Sequence, residues 1–298
     1  FKQKTASEIR LSLVGSEMCI RDRSGNDPTV TPNPPAWTPA SDATNPLYKG
    51  TANTMPDGGL LQALRDDVMN GNLPQVSWIV APDTYSEHPG PSSPVQGAWY
   101  IQETLNALTA NPDVWSKTVL LVNFDENDGF FDHVPSPAAP SINPDGSMAG
   151  ASTVNTDLER HTRPSAQDAA DNRVYGPGPR VPMYIVSPWS RGGWVNSQAF
   201  DHTSVLRFLE ARFGVAEKNI SPWRRAVLGD LTSAFNFATP NNEKLPDLSL
   251  LTKAQADQTR ADQQALPQVA LPDTTTQAKP VQETGVRFSR PLPYELHT

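Results

Sequence analysis

Apolar residues recur along the chain with a spacing of three or four positions in three segments. This spacing predicts amphipathic helices, each with one face turned toward a core. The apolar positions on these faces are Leu60, Leu64 and Val68; Ala98, Ile101, Leu105 and Leu108; and Val205, Leu209 and Phe213. Local stop signals follow each pattern at Asn70-Gly71, Asn111-Pro112 and Gly214, so we expect each helix to end there.

Three other segments are short, continuous apolar runs, at residues 75–82, 117–124 and 180–188. Strands that do not alternate between apolar and polar residues are typically buried on both faces, as in a parallel sheet covered by helices. The sequence therefore predicts an α/β fold with a mostly parallel sheet between helices. Residues 135–179 show no period, and a connection of this length in a compact domain is often functional.

Polar clusters follow the first two predicted strands. The run "DTYSEHPG" carries His88 after the first strand, and "NFDENDG" carries Asp125, Glu126 and Asp128 after the second. Ligands in open α/β sheets bind beyond the carboxyl ends of the strands. If the two strands are parallel and adjacent or nearly so, His88 and the Asp125–Glu126 pair lie at one edge of the sheet.

Two neighbouring carboxylates repel each other unless a cation lies between them. Asp125 and Glu126 are hard oxygen donors and are therefore candidate ligands of one divalent metal ion, whose identity the sequence leaves open. The alternative is a solvated acidic turn ended by Gly129. A calcium loop of the EF-hand type does not fit, because Asp128 stands where that loop needs glycine and Val134 where it needs glutamate.

Two further histidines follow aspartates. His133 follows Asp132, which could orient the imidazole ring, and His202 follows Asp201 at the start of a predicted helix. We expect Asp201 to cap that helix and His202 to pack against the protein. The nucleophile elbow, the phosphate-binding loop and the zincin motif are all absent from the sequence.

Composition narrows the functional classes. The formal charge of −8 argues against a nucleic-acid partner, because such proteins carry basic surfaces. The lone cysteine, Cys19, allows neither a disulfide framework nor a thiolate metal site. Apolar runs fall well short of the roughly 20 residues of a membrane span. The 30 prolines indicate long irregular loops.

The two ends of the chain differ from its middle. Residues 1–23 resemble translated sequencing-adapter sequence and contain no signal-peptide core, so we expect a non-native leader that packs against nothing. An amphipathic N-terminal helix is the alternative. Residues 24–56 and 266–298 are polar and proline-rich, and we interpret them as linkers.

Five segments together resemble one family, the bacterial phosphatidylcholine-type phospholipases C and related acid phosphatases of the alkaline-phosphatase-like superfamily. They are "LPQVSWIVAP", "YSEHPGPSSPVQGAWY", "VNFDENDGFFDHVP", "GPGPRVPMYIVSPWSRGGWV" and "FDHTSVLRFLEARFG". The resemblance implies an alkaline-phosphatase-like fold. It also implies that residues 57–265 are the C-terminal half of a phosphoesterase catalytic domain, and that residues 266–298 lead toward C-terminal domains.

The resemblance implies metal-assisted hydrolysis of phosphate esters, foremost phospholipase C cleavage of phosphatidylcholine-type lipids to diacylglycerol and phosphocholine. Asp125 and Glu126 match the family's metal-binding carboxylates, His88 matches a catalytic histidine at the phosphoryl group, and His133 is assigned to substrate binding. Expected partners are a phospholipid headgroup or another phosphate ester, with peripheral membrane contact. The expected location, secreted or periplasmic, rests on the family alone.

The sequence also departs from the family pattern. It contains no match to the family's upstream Glu-Asn metal-binding pair, nor to its hydroxyl nucleophile. We therefore expect the chain by itself to be inactive. Two alternatives remain open, an acid phosphatase of the same family and a non-catalytic metal-binding or interaction module.

Overall fold

The computed structural model describes residues 61–127, 134–162, 169–241 and 244–267, the backbone of Leu11–Gly15, and residues 270, 273 and 275. The chain divides into two compact units, residues 1–260 and 261–298. Apart from the end of the last helix, every element that follows lies in residues 1–260. Helices and strands are mixed, which confirms the α/β class at that level.

Six strands and six helices lie within the described residues, with 3-10 turns at Asp83–Tyr85, Asp157–Glu159 and Thr232–Ala234. The strands are β1 (Leu11–Gly15), β2 (Val76–Val80), β3 (Leu120–Asn123), β4 (Ser141–Ile142), β5 (Met148–Ala149) and β6 (Met183–Val186). The helices are α1 (Gln62–Met69), α2 (Pro94–Thr109), α3 (Pro112–Trp115), α4 (His202–Phe213), α5 (Pro222–Val227) and α6 (Lys253–Gln264). The predicted strands at residues 75–82, 117–124 and 180–188 are thus confirmed in shortened form.

The apolar core is built around α1, α2 and the first turn of α6. Leu64 and Val68 of α1 are buried as the sequence spacing predicted. The buried face of α2 differs from the predicted one: Leu108 is buried, but Ala98 is exposed and Trp99 and Tyr100 point inward instead. Aromatic side chains bury far more apolar area than alanine, which favours turning Trp99 and Tyr100 inward over Ala98. The buried residues of this cluster are Leu61, Leu64, Val68, Tyr85, Trp99, Tyr100, Ala107, Leu108 and Ala256.

Strand pairing corrects the predicted sheet. β2 pairs in parallel with β1, whereas β3 pairs antiparallel with β6 and β4 pairs antiparallel with β5. β2 and β3 belong to different two-stranded sheets and are not hydrogen-bonded neighbours. Apolar runs carry no information on strand direction, so the parallel assignment of β3 and β6 was wrong. The predicted burial on both faces was also wrong, because Trp78 of β2 and Tyr184 of β6 are exposed.

The N-terminal segment also departs from expectation. The backbone of Leu11–Gly15 pairs with Val76–Val80, so the prediction that residues 1–23 contact nothing is wrong at these five positions. An unpaired strand exposes rows of backbone N–H and C=O groups. Pairing with β1 provides partners for one such row of β2. Whether residues 1–23 are a non-native leader stays a prediction.

The predicted boundaries of α4 are confirmed. Asp201 caps the helix through a capping box with Ser204, and Gly214 ends it in the left-handed conformation with φ of 72°. In the described residues of the long segment before β6, the regular structure is the short hairpin of β4 and β5 and one 3-10 turn. No helix in the part of the chain that the structure describes is long and apolar enough to cross a membrane.

Candidate functional site

The antiparallel register of β3 and β6 defines the edge at which the acidic cluster lies. Asn123, the last residue of β3, faces Met183, the first residue of β6. The residues that follow β3 and those that precede β6 therefore lie at the same edge of this sheet. Asp125 and Glu126 follow β3 at this edge, which we call the acidic edge. Arg180 lies on the segment that leads into β6.

Asp125 and Glu126 are both exposed at this edge. Their oxygens are of the kind that hard divalent cations prefer. Two carboxylates are too few for a complete ligand set, however, and the described residues include no group of three or more His, Cys, Asp or Glu side chains able to hold a metal ion. Asp125 and Glu126 therefore amount to no more than part of the ligand set of a metal ion. Asp128 lies outside the described residues.

An open cleft of about 280 Å³ lies between two segments, one that follows β3 in the sequence and one that precedes β6. One wall comes from residues 134–138, and the other comes from residues 175–180, directly before β6. The exposed guanidinium of Arg180 supplies positive charge to this lining, and Tyr175 supplies an aromatic ring. The lining thus combines one positive charge and one aromatic ring with prolines and small residues.

The loop that carries His88 has an unusual, tightly braced backbone. Glu87 adopts the left-handed conformation with φ of 67°, which is costly for a residue with a Cβ atom. Ser92 braces the loop, because its hydroxyl accepts from the Glu87 N–H at 3.0 Å and donates to the Thr84 carbonyl at 2.8 Å. The Glu87 side chain lies against Gly97 of α2, where an added Cβ would overlap it.

His88 projects from this braced loop into solvent. Its Nδ1 atom lies 2.8 Å from the carbonyl oxygen of Pro89. A carbonyl oxygen can only accept, so Nδ1 carries the proton and Nε2 is the acceptor in the neutral ring. Nε2 is thus the nitrogen without this contact, and it can donate a hydrogen bond to a phosphoryl oxygen only when it carries a proton.

Sequence reasoning placed His88, Asp125, Glu126 and His133 in one site. The structure places Asp125 and Glu126 side by side after β3, and His88 after β2 in a different sheet. A shared edge for His88 and the carboxylates stays a prediction, now without the parallel pairing on which it was based. His133 lies outside the described residues.

His202 is a residue whose position the sequence reasoning misjudged. It was expected to pack, but it is exposed, and its Nε2 atom lies 2.8 Å from the carbonyl oxygen of Phe124. Phe124 directly precedes Asp125, so His202 reaches the acidic edge from the start of α4. The adjacent sequence "FDHTS" marks a capped helix start, but it gives no indication of this long-range contact.

A partly buried ion network includes Asp201, the residue before His202. The Nε atom of Arg224 donates to both carboxylate oxygens of Glu159 at 3.1 and 3.2 Å, and the same guanidinium pairs with Asp201. The Glu159 and Asp201 side chains are only 3% and 4% exposed. Burial alone lowers the pKa of Arg224, but its hydrogen bonds and the charges of Glu159 and Asp201 outweigh this effect and raise that pKa.

Comparison with known proteins assigns the chain to one family. The sequence profile of the phosphoesterase family matches residues 36–216, a range that contains His88, Asp125, Glu126, His133 and His202. The matched range begins within the segment interpreted above as a linker.

Three curated bacterial relatives are named as phospholipases C. The chain is 63% identical over 236 residues to the non-hemolytic phospholipase C of Pseudomonas aeruginosa, covering 79% of this chain and 33% of that protein. It is 50% identical over 262 residues to the non-hemolytic phospholipase C of Burkholderia pseudomallei, covering 85% and 35%. It is 46% identical over 239 residues to the hemolytic phospholipase C of Pseudomonas aeruginosa, covering 78% and 31%. The chain thus spans about a third of the length of these relatives.

Proposed function

Because this chain belongs to the phosphoesterase family, we propose that the complete protein is a phosphoric ester hydrolase, specifically a phospholipase C. The proposed reaction adds water across a phosphodiester bond of a phosphatidylcholine-type lipid and releases diacylglycerol and phosphocholine. The observation that carries this proposal is the 63% identity over 236 residues to a protein named non-hemolytic phospholipase C. The family's alkaline-phosphatase-like fold is part of the same proposal.

The acidic edge is the proposed reaction site. Asp125 and Glu126 lie exposed where a substrate can reach them, and Arg180 on the neighbouring segment offers a positive charge to a phosphate group. In the proposed site His88 contacts the phosphoryl group or the leaving oxygen through Nε2, the nitrogen that its bond to Pro89 leaves available. His133 is the proposed substrate-binding histidine.

A divalent metal ion is proposed as the cofactor. Asp125 and Glu126 would supply part of its ligand set, and other parts of the complete protein would supply the rest, since two carboxylates are insufficient. Metal analysis of the purified complete protein tests this directly. We expect about one equivalent of a divalent metal in the wild type and a lower content after Asp125→Asn, because that change removes charge but keeps shape.

Substrate choice separates phospholipase C from acid phosphatase. The complete protein should hydrolyse p-nitrophenyl phosphorylcholine, a phosphodiester, faster than p-nitrophenyl phosphate, a monoester. A preference for the monoester would assign the protein to the acid phosphatases, and no hydrolysis of either compound would favour a non-catalytic module. Residues 1–298 assayed alone should hydrolyse both compounds far more slowly than the complete protein.

A location outside the cytoplasm is proposed from the family alone, with the complete protein secreted or periplasmic. Because phospholipid headgroups are presented at membrane surfaces, the complete protein is also proposed to contact membranes peripherally. Fractionation of the producing bacterium, followed by assay of each fraction with p-nitrophenyl phosphorylcholine, tests this. Activity confined to the cytoplasmic fraction would contradict the proposed location.

A further inference from the structure

The start of α4 is fixed by two sets of contacts. Within the helix, the Asp201 carboxylate accepts from the Thr203 N–H at 2.9 Å and from the Thr203 hydroxyl at 2.6 Å, and the Ser204 hydroxyl accepts from the Asp201 N–H at 3.1 Å. Because Ser204 is fully buried, this first turn has little freedom to shift. His202 is the first residue of the helix and leaves it from this rigid turn.

The second set of contacts links the same turn to distant parts of the chain. Arg224 of α5 pairs with Asp201 and also with Glu159 in the 3-10 turn Asp157–Glu159. The Ser221 hydroxyl donates to the same Glu159 carboxylate. Nearly complete burial of both carboxylates makes these contacts strong restraints, because a buried charge without its partner is costly. The network therefore fixes the position from which His202 extends.

The hydrogen bond from His202 to the Phe124 carbonyl restrains the peptide unit that joins Phe124 to Asp125. β3 ends at Asn123, so the carbonyl of Phe124 lies beyond the paired ladder of β3 and β6. This carbonyl shares one planar peptide unit with the backbone nitrogen of Asp125. A hydrogen bond of 2.8 Å from His202 Nε2 to Phe124 O therefore restrains the orientation from which the Asp125 side chain begins.

We propose that His202 is a positioning residue for the Asp125–Glu126 pair. Its Nε2–H holds the peptide plane between Phe124 and Asp125, and the network of Glu159, Arg224 and Asp201 holds His202. This inference rests on the proposed function of the acidic edge, and it assigns His202 no contact with substrate. Catalytic groups displaced by about 1 Å can lose about 100-fold in rate, so a restraint at this peptide has a measurable consequence.

Exposure of His202 makes the inference testable, because replacing an exposed side chain disturbs the core little. Three variants of the complete protein separate the contributions. His202→Gln keeps an N–H donor near the position of Nε2, His202→Asn has a shorter side chain, and His202→Leu has no donor. Arg212→Leu, at the exposed other end of α4, is the matched control.

The readouts are kcat and KM for p-nitrophenyl phosphorylcholine, the melting temperature, and hydrogen–deuterium exchange of peptides covering residues 120–127. We expect His202→Leu and His202→Asn to lower kcat by about 10- to 100-fold. In both variants KM and the melting temperature should be nearly unchanged and exchange at residues 124–127 should be faster. His202→Gln should restore most of kcat and slow exchange, and Arg212→Leu should match the wild type.

Two results would overturn the proposal. If His202→Leu keeps the wild-type kcat and exchange rates, the hydrogen bond to Phe124 does not position the Asp125–Glu126 pair. If His202→Gln loses as much activity as His202→Leu, the imidazole has a role other than donating this bond. A wild type that hydrolyses no phosphate ester would instead refute the proposed function, and the exchange rates of the variants alone would then decide whether His202 restrains the acidic edge.

Discussion

Two regions of the molecule are stabilised by different kinds of interaction. They are the helical core around α1 and α2 and the region around α4 and α5. The first buries Leu64, Val68 and a group of aromatic rings, with Tyr85 and Trp99 centred 4.9 Å apart. The second buries charge, because Arg224 joins two carboxylates that are almost inaccessible to water. Apolar packing tolerates small shifts, whereas a buried ion network requires each partner in place.

The two regions support different candidate site residues. The core supports the His88 loop through Tyr85, which is buried, and through Gly97, against which Glu87 lies. The ion network supports the acidic edge through Asp201 and His202. The contacts that reach the acidic edge are therefore a hydrogen bond and an ion pair, both of which are directional.

The largest expected effect on stability is at the ion network. Arg224→Leu should lower the free energy of unfolding by about 3–5 kcal/mol, because it leaves two carboxylates buried without a cation. The neighbouring change Arg225→Leu is the matched control. Arg225 pairs with Glu210 at 2.7 Å but is 35% exposed, so its loss should cost about 1 kcal/mol or less. Urea unfolding of the complete protein, followed by tryptophan fluorescence, measures both. Equal losses would mean that burial does not distinguish the two ion pairs.

A deletion in the apolar core should come next in size. Leu64→Ala removes a side chain that is 1% exposed and should cost about 2–4 kcal/mol from lost burial and the cavity left behind. Met69→Ala, in the same helix but with its side chain 59% exposed, should cost much less. The same urea titration applies. A small effect of Leu64→Ala would show that the core closes around the vacancy instead of leaving a cavity.

Acid should weaken both regions. The hydrogen bonds from Arg225 lower the pKa of Glu210. Burial alone raises the pKa of Asp257, but its bonds from Lys253 and Gln96 outweigh this and lower it. A carboxyl group whose folded pKa is lowered stabilises the fold above its unfolded pKa of about 4, and this stabilisation is lost as pH falls through the folded pKa.

The urea midpoint should therefore decrease as pH falls below about 4. Glu210→Gln should make this decrease shallower, because it removes one of the titrating groups. A midpoint that does not change between pH 5 and pH 3 would contradict the assignment of these carboxylates as stabilising partners.

The smallest expected effect is at Tyr100. Its hydroxyl is buried and makes no hydrogen bond within the described part of the chain, and burial raises its pKa. Tyr100→Phe removes a desolvated polar atom and keeps the ring, so it should be neutral or stabilising by up to about 1 kcal/mol. Destabilisation by more than that would indicate that the hydroxyl has a partner. The urea midpoint of the variant decides between these outcomes.

Local signals made much of the secondary structure predictable. Apolar spacing located α1, α2 and α4, and Asp201 and Gly214 marked the ends of α4 correctly because capping is a local interaction. Strand direction was not predictable in the same way. The apolar content of β3 and β6 is the same for either direction, and their antiparallel pairing depends on the path of the long connection between them.

The candidate site was predictable only in part. Asp125 and Glu126 stood out because two carboxylates ended an apolar run, and the structure leaves them exposed at a strand end. The contact of His202 with Phe124 and the link of Arg224 to Glu159 join residues 78 and 65 positions apart. Side-chain hydrogen bonds over such separations leave no periodic signal in the sequence.

The central proposal is that the acidic edge after β3 is the site of phosphodiester hydrolysis in the complete protein. It is tested most directly by kcat/KM of the complete protein for p-nitrophenyl phosphorylcholine, measured for the wild type, Asp125→Asn and the control Asp145→Asn, an exposed carboxylate in a turn with Ser147. We expect a loss of about 10³-fold or more for Asp125→Asn and nearly wild-type activity for Asp145→Asn. Near-wild-type turnover by Asp125→Asn would contradict the assignment of this edge as the site of hydrolysis.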